Sequence, residues 1–228
     1  HVQTFETTAT GIRLENNVSN STVAQLNLSG SSNATQDNFI LFGDNATATP
    51  IAMGFDNSAN LFKIARNSND NLDSGIHVQM TSAGEITMPL QPAFQAKPST
   101  DQNDIAQGSD VTVVFGTEVF DQNSDFASNT FTAPVTGKYQ LNIFIRLNNV
   151  DTAPDYYQFK IITSNRTYTT TYDTGGFSAD PDYRSFSHSA LADMDAGDTA
   201  YVAIHQHSAG TAQTDVDPET TFSGYLAC

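Results

Sequence analysis

The chain has 228 residues, with 9 Lys+Arg against 25 Asp+Glu, a formal net charge of −16 and a pI near 4.2. That balance repels phosphate backbones and anionic membranes, so nucleic acid is excluded as a partner, and no run approaches the ~18 apolar residues of a membrane span, so membrane insertion is excluded too. Charged residues make up only 15% of the chain, so its polarity comes from Ser, Thr, Asn and Gln, which suit turns and strand surfaces and disfavour helix interiors; the composition predicts an all-β protein.

The length suits one large or two modest domains, each able to build a core without a metal or a disulfide. The single cysteine, Cys228, is the last residue, so no intrachain disulfide forms. Its thiol either crosslinks chains or is a small buried or frayed residue. His1 is not an initiator methionine, so the chain reads as a processed piece, with room for a removed signal peptide or anchoring domain.

Residues 1 to 30 are rich in Asn, Ser and Thr and carry two weak alternating runs, Gly11 to Glu15 and Val23 to Leu28. From Asn38 the pattern strengthens: NFILFG, PIAMGF, ANLFKIAR, GIHVQM and EITMPL are separated by turn-forming stretches rich in Gly, Asn, Asp and Ser. Strand starts recur about every ten residues, which predicts an antiparallel meander. Each strand brings only two or three apolar side chains, a thin core for one copy. Either identical neighbours around a threefold axis or the second domain would thicken it. Asn17, Asn20, Asn27, Asn33, Asn45 and Asn165 each head an Asn-x-Ser/Thr triplet, read here as turn composition. Pro89, Pro92 and Pro98 mark a stiff connector, so the boundary is placed near Gln91, dividing a neck or shaft, 1–90, from a head, 91–228.

Beyond it the strands lengthen: PAFQAK, DVTVVFG, NTFTAPV, KYQLNIFIRLNN, YYQFKIITSN, RTYTTTYD, YRSFSHSALADM, DTAYVAIHQH and TFSGYLAC. In the most regular, Pro134 and Gly137 punctuate a reversal, after which Tyr139, Leu141, Ile143 and Ile145 alternate with Lys138, Gln140, Asn142 and Arg146. Phe144 breaks the alternation by placing an aromatic on the polar face. It packs either against another copy or as an edge contact within one chain. About eight to ten such strands predict a two-sheet jelly roll.

Two resemblances follow from these stretches. FILFGDNATATPIAMGFDNSANLFKIA followed by SAGEITMP resembles a segment of bacteriophage tail fibres and related surface proteins, over residues 38–90. Val113 to Phe115, Phe131 to Tyr139, Leu191, Gly197, Asp198 and Phe222 to Leu226, in that order and at those distances, resemble the globular head of the complement C1q family, a relative of the tumour necrosis factor fold, over residues 93–228. Leu141 replaces the pattern's second aromatic, and Ala200 and Tyr201 replace Val-Trp. The lack of Trp and of collagen repeats puts a complement role out of reach. The resemblance implies a ten-stranded jelly roll assembled as a homotrimer through one sheet, with Tyr139 and Phe222 in the core and Phe144 and Tyr225 towards the threefold axis.

No Gly-x-Ser-x-Gly, His-Glu-x-x-His or phosphate loop is present, so no enzymatic activity is expected. His188, His205 and His207 fall in strands, the last two on one face beside Tyr201; they read as a metal pair or as a polar sheet face. Asp215, Asp217 and Glu219, and Asp180 with Asp182, are loop carboxylates that suit calcium or simply solvent. The reading is a trimeric viral or phage fibre or spike that recognises a host-surface receptor or glycan, sits on the virion surface and meets other virion proteins through its amino-terminal side. The alternative is a secreted lectin-like recognition protein of a cell, with an extracellular location; an enzyme acting on surface polysaccharide ranks third. The ligand-facing residues expected are Tyr201, His205 and His207, then Tyr156, Tyr183, Asp215 and Asp217.

Overall fold

The computed structural model describes residues 6–8, 11–13, 37–42, 50–66 and 72–228, and every regular element among them is a β-strand. The chain divides into two compact units, His1–Pro89 and Leu90–Cys228. The run at Val23 to Leu28 and the triplets at Asn17, Asn20, Asn27, Asn33 and Asn45 lie outside the described residues. Asn165 sits in a turn, where its side-chain amide donates to Asp198 Oδ2 at 2.5 Å.

In the first unit β1 (Glu6–Thr8) and β2 (Gly11–Arg13) form a two-stranded pair. The five strong runs become β3 (Asn38–Phe42), β4 (Ile51–Asp56), β5 (Leu61–Arg66), β6 (Ile76–Met80) and β7 (Ile86–Thr87), an antiparallel meander in chain order. Its closed face is made of small and charged residues. Ala52, Ala65 and Leu72 are buried there, with Phe39 packed on them. Gly54 is required beside Phe39, because a Cβ on it would stand 2.1 Å from the Asn38 carbonyl oxygen. On the same face the Lys63 ammonium bonds to buried Asp56 and, at 3.1 Å, to the Leu72 carbonyl. Burial pushes the Asp56 carboxyl up, but donors from Lys63, the Ala59 amide and Ser58 outweigh it and bring its pKa down to about 2. Leu41, paired with Ala52, and Leu61, paired with Asp56, share this face, and most of the other larger apolar side chains fall on the opposite one, in cross-strand rows such as Ile40, Met53, Ile64 and Val78.

The second unit is the jelly-roll sandwich. One sheet runs β10 (Thr117–Asp121), β8 (Ala93–Lys97), β19 (Thr221–Leu226), β13 (Gly137–Asn148), β16 (Tyr183–Met194), with β18 (Asp215–Val216) also on β13. The other runs β11 (Phe126–Ala127), β12 (Thr130–Thr132), β17 (Thr199–Gln206), β14 (Tyr156–Thr163), β15 (Thr167–Asp173), with β9 (Asp110–Thr112) on β17. β11 and β18 are two-residue rungs, which leaves the ten longer strands that the resemblance implies. β10 leaves no alternating run in the sequence, because its residues are mostly exposed and a bulge between Glu118 and Phe120 breaks their alternation.

Alternation along β13 does what its pattern predicts, since Tyr139, Leu141, Ile143, Ile145 and Leu147 are all buried. They meet Tyr157, Phe159 and Ile161 from β14 and Val202 and Ile204 from β17 in one continuous core. At one end Phe94 stacks on Phe131 at 4.7 Å and meets Phe222 edge-on at 4.9 Å, and such pairs add about 0.5–1.5 kcal/mol each beyond their buried area. The Tyr139 hydroxyl donates to the Val135 carbonyl at 2.7 Å, so its polar tip is satisfied. Gly137 starts β13 because a side chain there would meet Leu226 Cδ1 at 2.6 Å and the Cys228 carbonyl oxygen at 2.7 Å. Cys228 itself is an exposed free cysteine.

Candidate functional site

The outer face of the β14–β17 sheet gathers part of the expected ligand set. Tyr157 pairs with Gln206 and Gln158 with His205. Because strands alternate, Tyr157, Phe159, Val202 and Ile204 point inward, and Tyr156, Gln158, Lys160, Tyr201 and His205 stand on the other side. Tyr156 stacks on His207 with ring centroids 4.6 Å apart and lies nearly parallel to His205 at 6.3 Å. His205 Nδ1 is 2.9 Å from Asp110 Oδ1, which also accepts from Lys160 Nζ at 2.6 Å. The Lys160 hydrogen bond is the main reason that the Asp110 carboxyl lies below its ordinary pKa, against the upward push of burial. His207 Nδ1 is 3.4 Å from Asp155 Oδ2. The result is a row of three rings bordered by two carboxylates, an ammonium and an amide.

Tyr201 shares this face but stands apart, separated from His205 by Ala203, which neighbouring side chains cover to 1% exposure. Tyr183 belongs to β16, in the opposite sheet, with the Arg146 guanidinium 4.7 Å above its ring. So Tyr156, His205 and His207 come together, and Tyr201 and Tyr183 do not join them. Asp110, Lys160 and Asp155 complete the face without having been singled out in sequence. The alternation of Gln158 and Lys160 placed that side of β14 outward, but the pairing of β9 with β17 that delivers Asp110 depends on long-range register. His188 lies on the core side of β16, opposite Ile143, and its Nε2 is buried without a hydrogen bond among the described residues.

The acidic loops form a second feature, a cleft of about 440 Å³ lined by Asp104, Asn149, Asp180, Asp182, Gln213 and Asp215 among others. Asp180 accepts from the Thr152 hydroxyl, the Thr152 amide and Gln213, which hold its carboxyl below the usual range. Asp215 accepts from the Asp104 amide at 2.8 Å and the Asn149 side chain at 2.9 Å. The expected calcium set is dispersed: Asp217 turns to the Glu219 amide at 2.7 Å and to Arg146 Nε at 3.6 Å, and Glu219 is exposed. The Asp217–Thr220 turn explains this, since the Thr220 amide closes back on the Asp217 carbonyl. Among the described residues the carboxylates whose oxygens do converge, within 4.8 Å, are Asp37, Asp56 and Asp73, where Lys63 already supplies positive charge.

The outer face of the β13 sheet has another character. Phe144 is exposed between Ser187 and Thr221, and Tyr225, Gln140 and Leu191 form a cross-strand row whose two apolar members are exposed. No helix among the described residues is long and apolar enough to cross a membrane.

Comparison with curated proteins yields no match. Among solved structures, the globular domain of zebrafish complement 1qA protein is similar at 18% identity and a TM-score of 0.44, over 60% of this chain and 98% of that one. Murine APRIL is similar at 16% identity and a TM-score of 0.42, over the same shares of each chain. The family model of the C1q domain matches residues 93–227, more than half of the chain and nearly all of the sandwich. The chain therefore belongs to the C1q domain family, whose members are typically extracellular, non-enzymatic recognition domains.

Proposed function

We propose that this protein is a homotrimeric receptor-binding protein, the tip of a viral or phage fibre or spike, which recognises glycans on a host surface. The observation that carries the reading is the ring row of Tyr156, His205 and His207 with its bordering Asp110, Asp155 and Lys160. Aromatic faces take the apolar side of a sugar ring, and fixed carboxylates and cations take its hydroxyls. The other sheet supports the trimer, because exposed Phe144, Leu191 and Tyr225 on an otherwise Gln/Asn/Ser face suit packing against identical copies. Each sugar contact is weak, and three copies on one axis raise the effective concentration enough to hold a cell surface. The amino-terminal meander is the shaft side, through which other virion proteins are met.

The test is binding of the purified protein to intact host cells, with competition against virion adsorption. Cell binding together with blocked adsorption supports the reading. Cell binding that leaves adsorption untouched favours the alternative, a secreted lectin-like C1q-domain protein of a cell. Release of reducing sugar ends by the purified chain would contradict both.

A further inference from the structure

The amino-terminal meander is built inside out. Its closed face holds Gly54, Ala52, Ala65 and the Lys63–Asp56 pair under Phe39 and Leu72, while most of its large apolar side chains stand on the face that nothing in the described part of this unit covers. Ile40, Phe42, Ile51, Phe55, Met80 and Ile86 are exposed there, from 37% for Ile40 to 61% for Ile86. The register joins them into continuous rows: Phe42 against Ile51, Ile40 against Met53, Ile64 and Val78, and Phe55 against Phe62, Met80 and Ile86. We infer that this face is a self-association surface, seated in the assembled protein on the same face of another copy of this chain.

Area, charge and chemistry choose that occupant. Six large side chains more than a third exposed, with the half-buried ones between them, present on the order of 700 Å² of apolar surface, close to the ~800 Å² per partner of a stable interface and beyond what monomers expose contiguously. A chain of net charge −16 repels its own copies almost everywhere, yet among the described residues no acidic one stands on these rows. Polar groups stand only at the ends of the rows, Asn38 beside Phe55 and Arg66 beside Ile51, so little on the face selects a foreign partner, whereas its flat aliphatic and aromatic middle is complementary to itself. The inference does not rest on the head's trimer, and its test separates the two.

The experiment places one cysteine at a time in the full-length chain carrying Cys228→Ser: Ile51→Cys and Phe55→Cys on the face, and Ala83→Cys in the exposed β6–β7 turn as the control. A short bismaleimide is added at micromolar protein, in the presence and absence of Phe144→Asp in the head, with circular dichroism confirming that each variant is folded. Covalent dimers from both face positions, few from Ala83→Cys, and persistence alongside Phe144→Asp are expected. Ile51→Lys with Phe55→Lys should then weaken association of the Phe144→Asp protein at least about tenfold in sedimentation velocity, a change of about 1.4 kcal/mol. Absence of crosslinks at both face positions overturns the inference. So does crosslinking that vanishes with Phe144→Asp, which would assign the contact to the head, or crosslinking that begins only when residues 14–36 are deleted, which would make the chain's own segment the occupant.

Discussion

In the head, the alternating apolar residues of β13, from Tyr139 to Leu147, all turn into a closed core; in the meander, those of β4, Ile51, Met53 and Phe55, all turn away from theirs. Both strands carry the same period-two pattern. What differs is the company of the other face: Lys138, Gln140 and Asn142 on β13, but Ala52, Gly54 and Asp56 on β4. Alternation therefore identifies a strand and sorts its residues into two sets, and the size and charge of the second set decide which is buried within one chain. Small residues let Phe39 and the backbone around Leu72 close on the meander, and Lys63 makes the burial of Asp56 tolerable.

The largest way to break this comparison is to separate the units. Residues 90–228 alone are expected to fold and to unfold cooperatively in urea, whereas residues 1–89 alone are expected to associate through their apolar face, so that their urea transition shifts with protein concentration. A transition of 1–89 that does not depend on concentration, beside an aggregated 90–228, would reverse the account. Next come single substitutions. Phe94→Ala in the head core should cost about 3–5 kcal/mol in the head's transition. Lys63→Met leaves Asp56 buried without its cation and should cost the meander about 3–5 kcal/mol, much of it regained when Asp56→Leu is added. By contrast Ile86→Ala should shift the stability of a dilute monomer by no more than about 0.5 kcal/mol, since this is the most exposed large apolar side chain of the face.

The units should also part in their response to pH. The Asp56 carboxyl titrates near 2 in the folded protein, below the ~3.9 of an unfolded chain, so between those values the unfolded state binds more protons. The meander's stability is therefore expected to fall as pH drops from about 4 to 2, and Asp56→Asn should remove the Asp56 share of that slope in an acid titration, leaving that of Glu85, whose carboxyl the Thr81 hydroxyl holds below its ordinary value. Tyr157 runs the other way. Burial pushes its hydroxyl up to about 12, against the lowering effect of its bond to Thr214, so the head should lose stability as pH rises from about 10 towards 12. Tyr157→Phe should flatten that alkaline limb while costing about 1 kcal/mol for lost hydrogen bonds to Asp151 and Thr214. The smallest effect is expected from Lys160→Ala: Asp110 is open to water, so the stability change should be about 0–1 kcal/mol, leaving any change in cell binding attributable to the site.

Much of the fold was legible because local signals agreed with it. All five meander runs are strands, and the stretch from Phe131 to Tyr139 with the closing Phe222 to Leu226 locates the jelly roll from residues alone. The two-residue rungs β11 and β18 and the bulged β10 carry too few inward residues to leave a pattern. Of the candidate site, Tyr156, His205 and His207 could be named from residue type and spacing, since i and i+2 on a strand share a face. Asp110 could not, because it reaches His205 through the pairing of β9 with β17, over ninety residues away in sequence. Tyr183 stands apart from them, on β16, for a related reason: an exposed aromatic beside a loop does not reveal which sheet carries it. The inversion of the meander was hidden because sequence shows how many apolar side chains a strand has, not which of its faces the chain can cover.

The most direct test of the account is equilibrium binding to intact host cells by the full-length protein and by its Tyr156→Ala/His207→Ala variant, with sedimentation velocity on both. Neither substitution touches the core or the β13 face, so the variant should sediment as the parent does while its apparent affinity falls at least about tenfold. A variant that sediments as the parent does and binds cells equally well would contradict the assignment of recognition to this sheet.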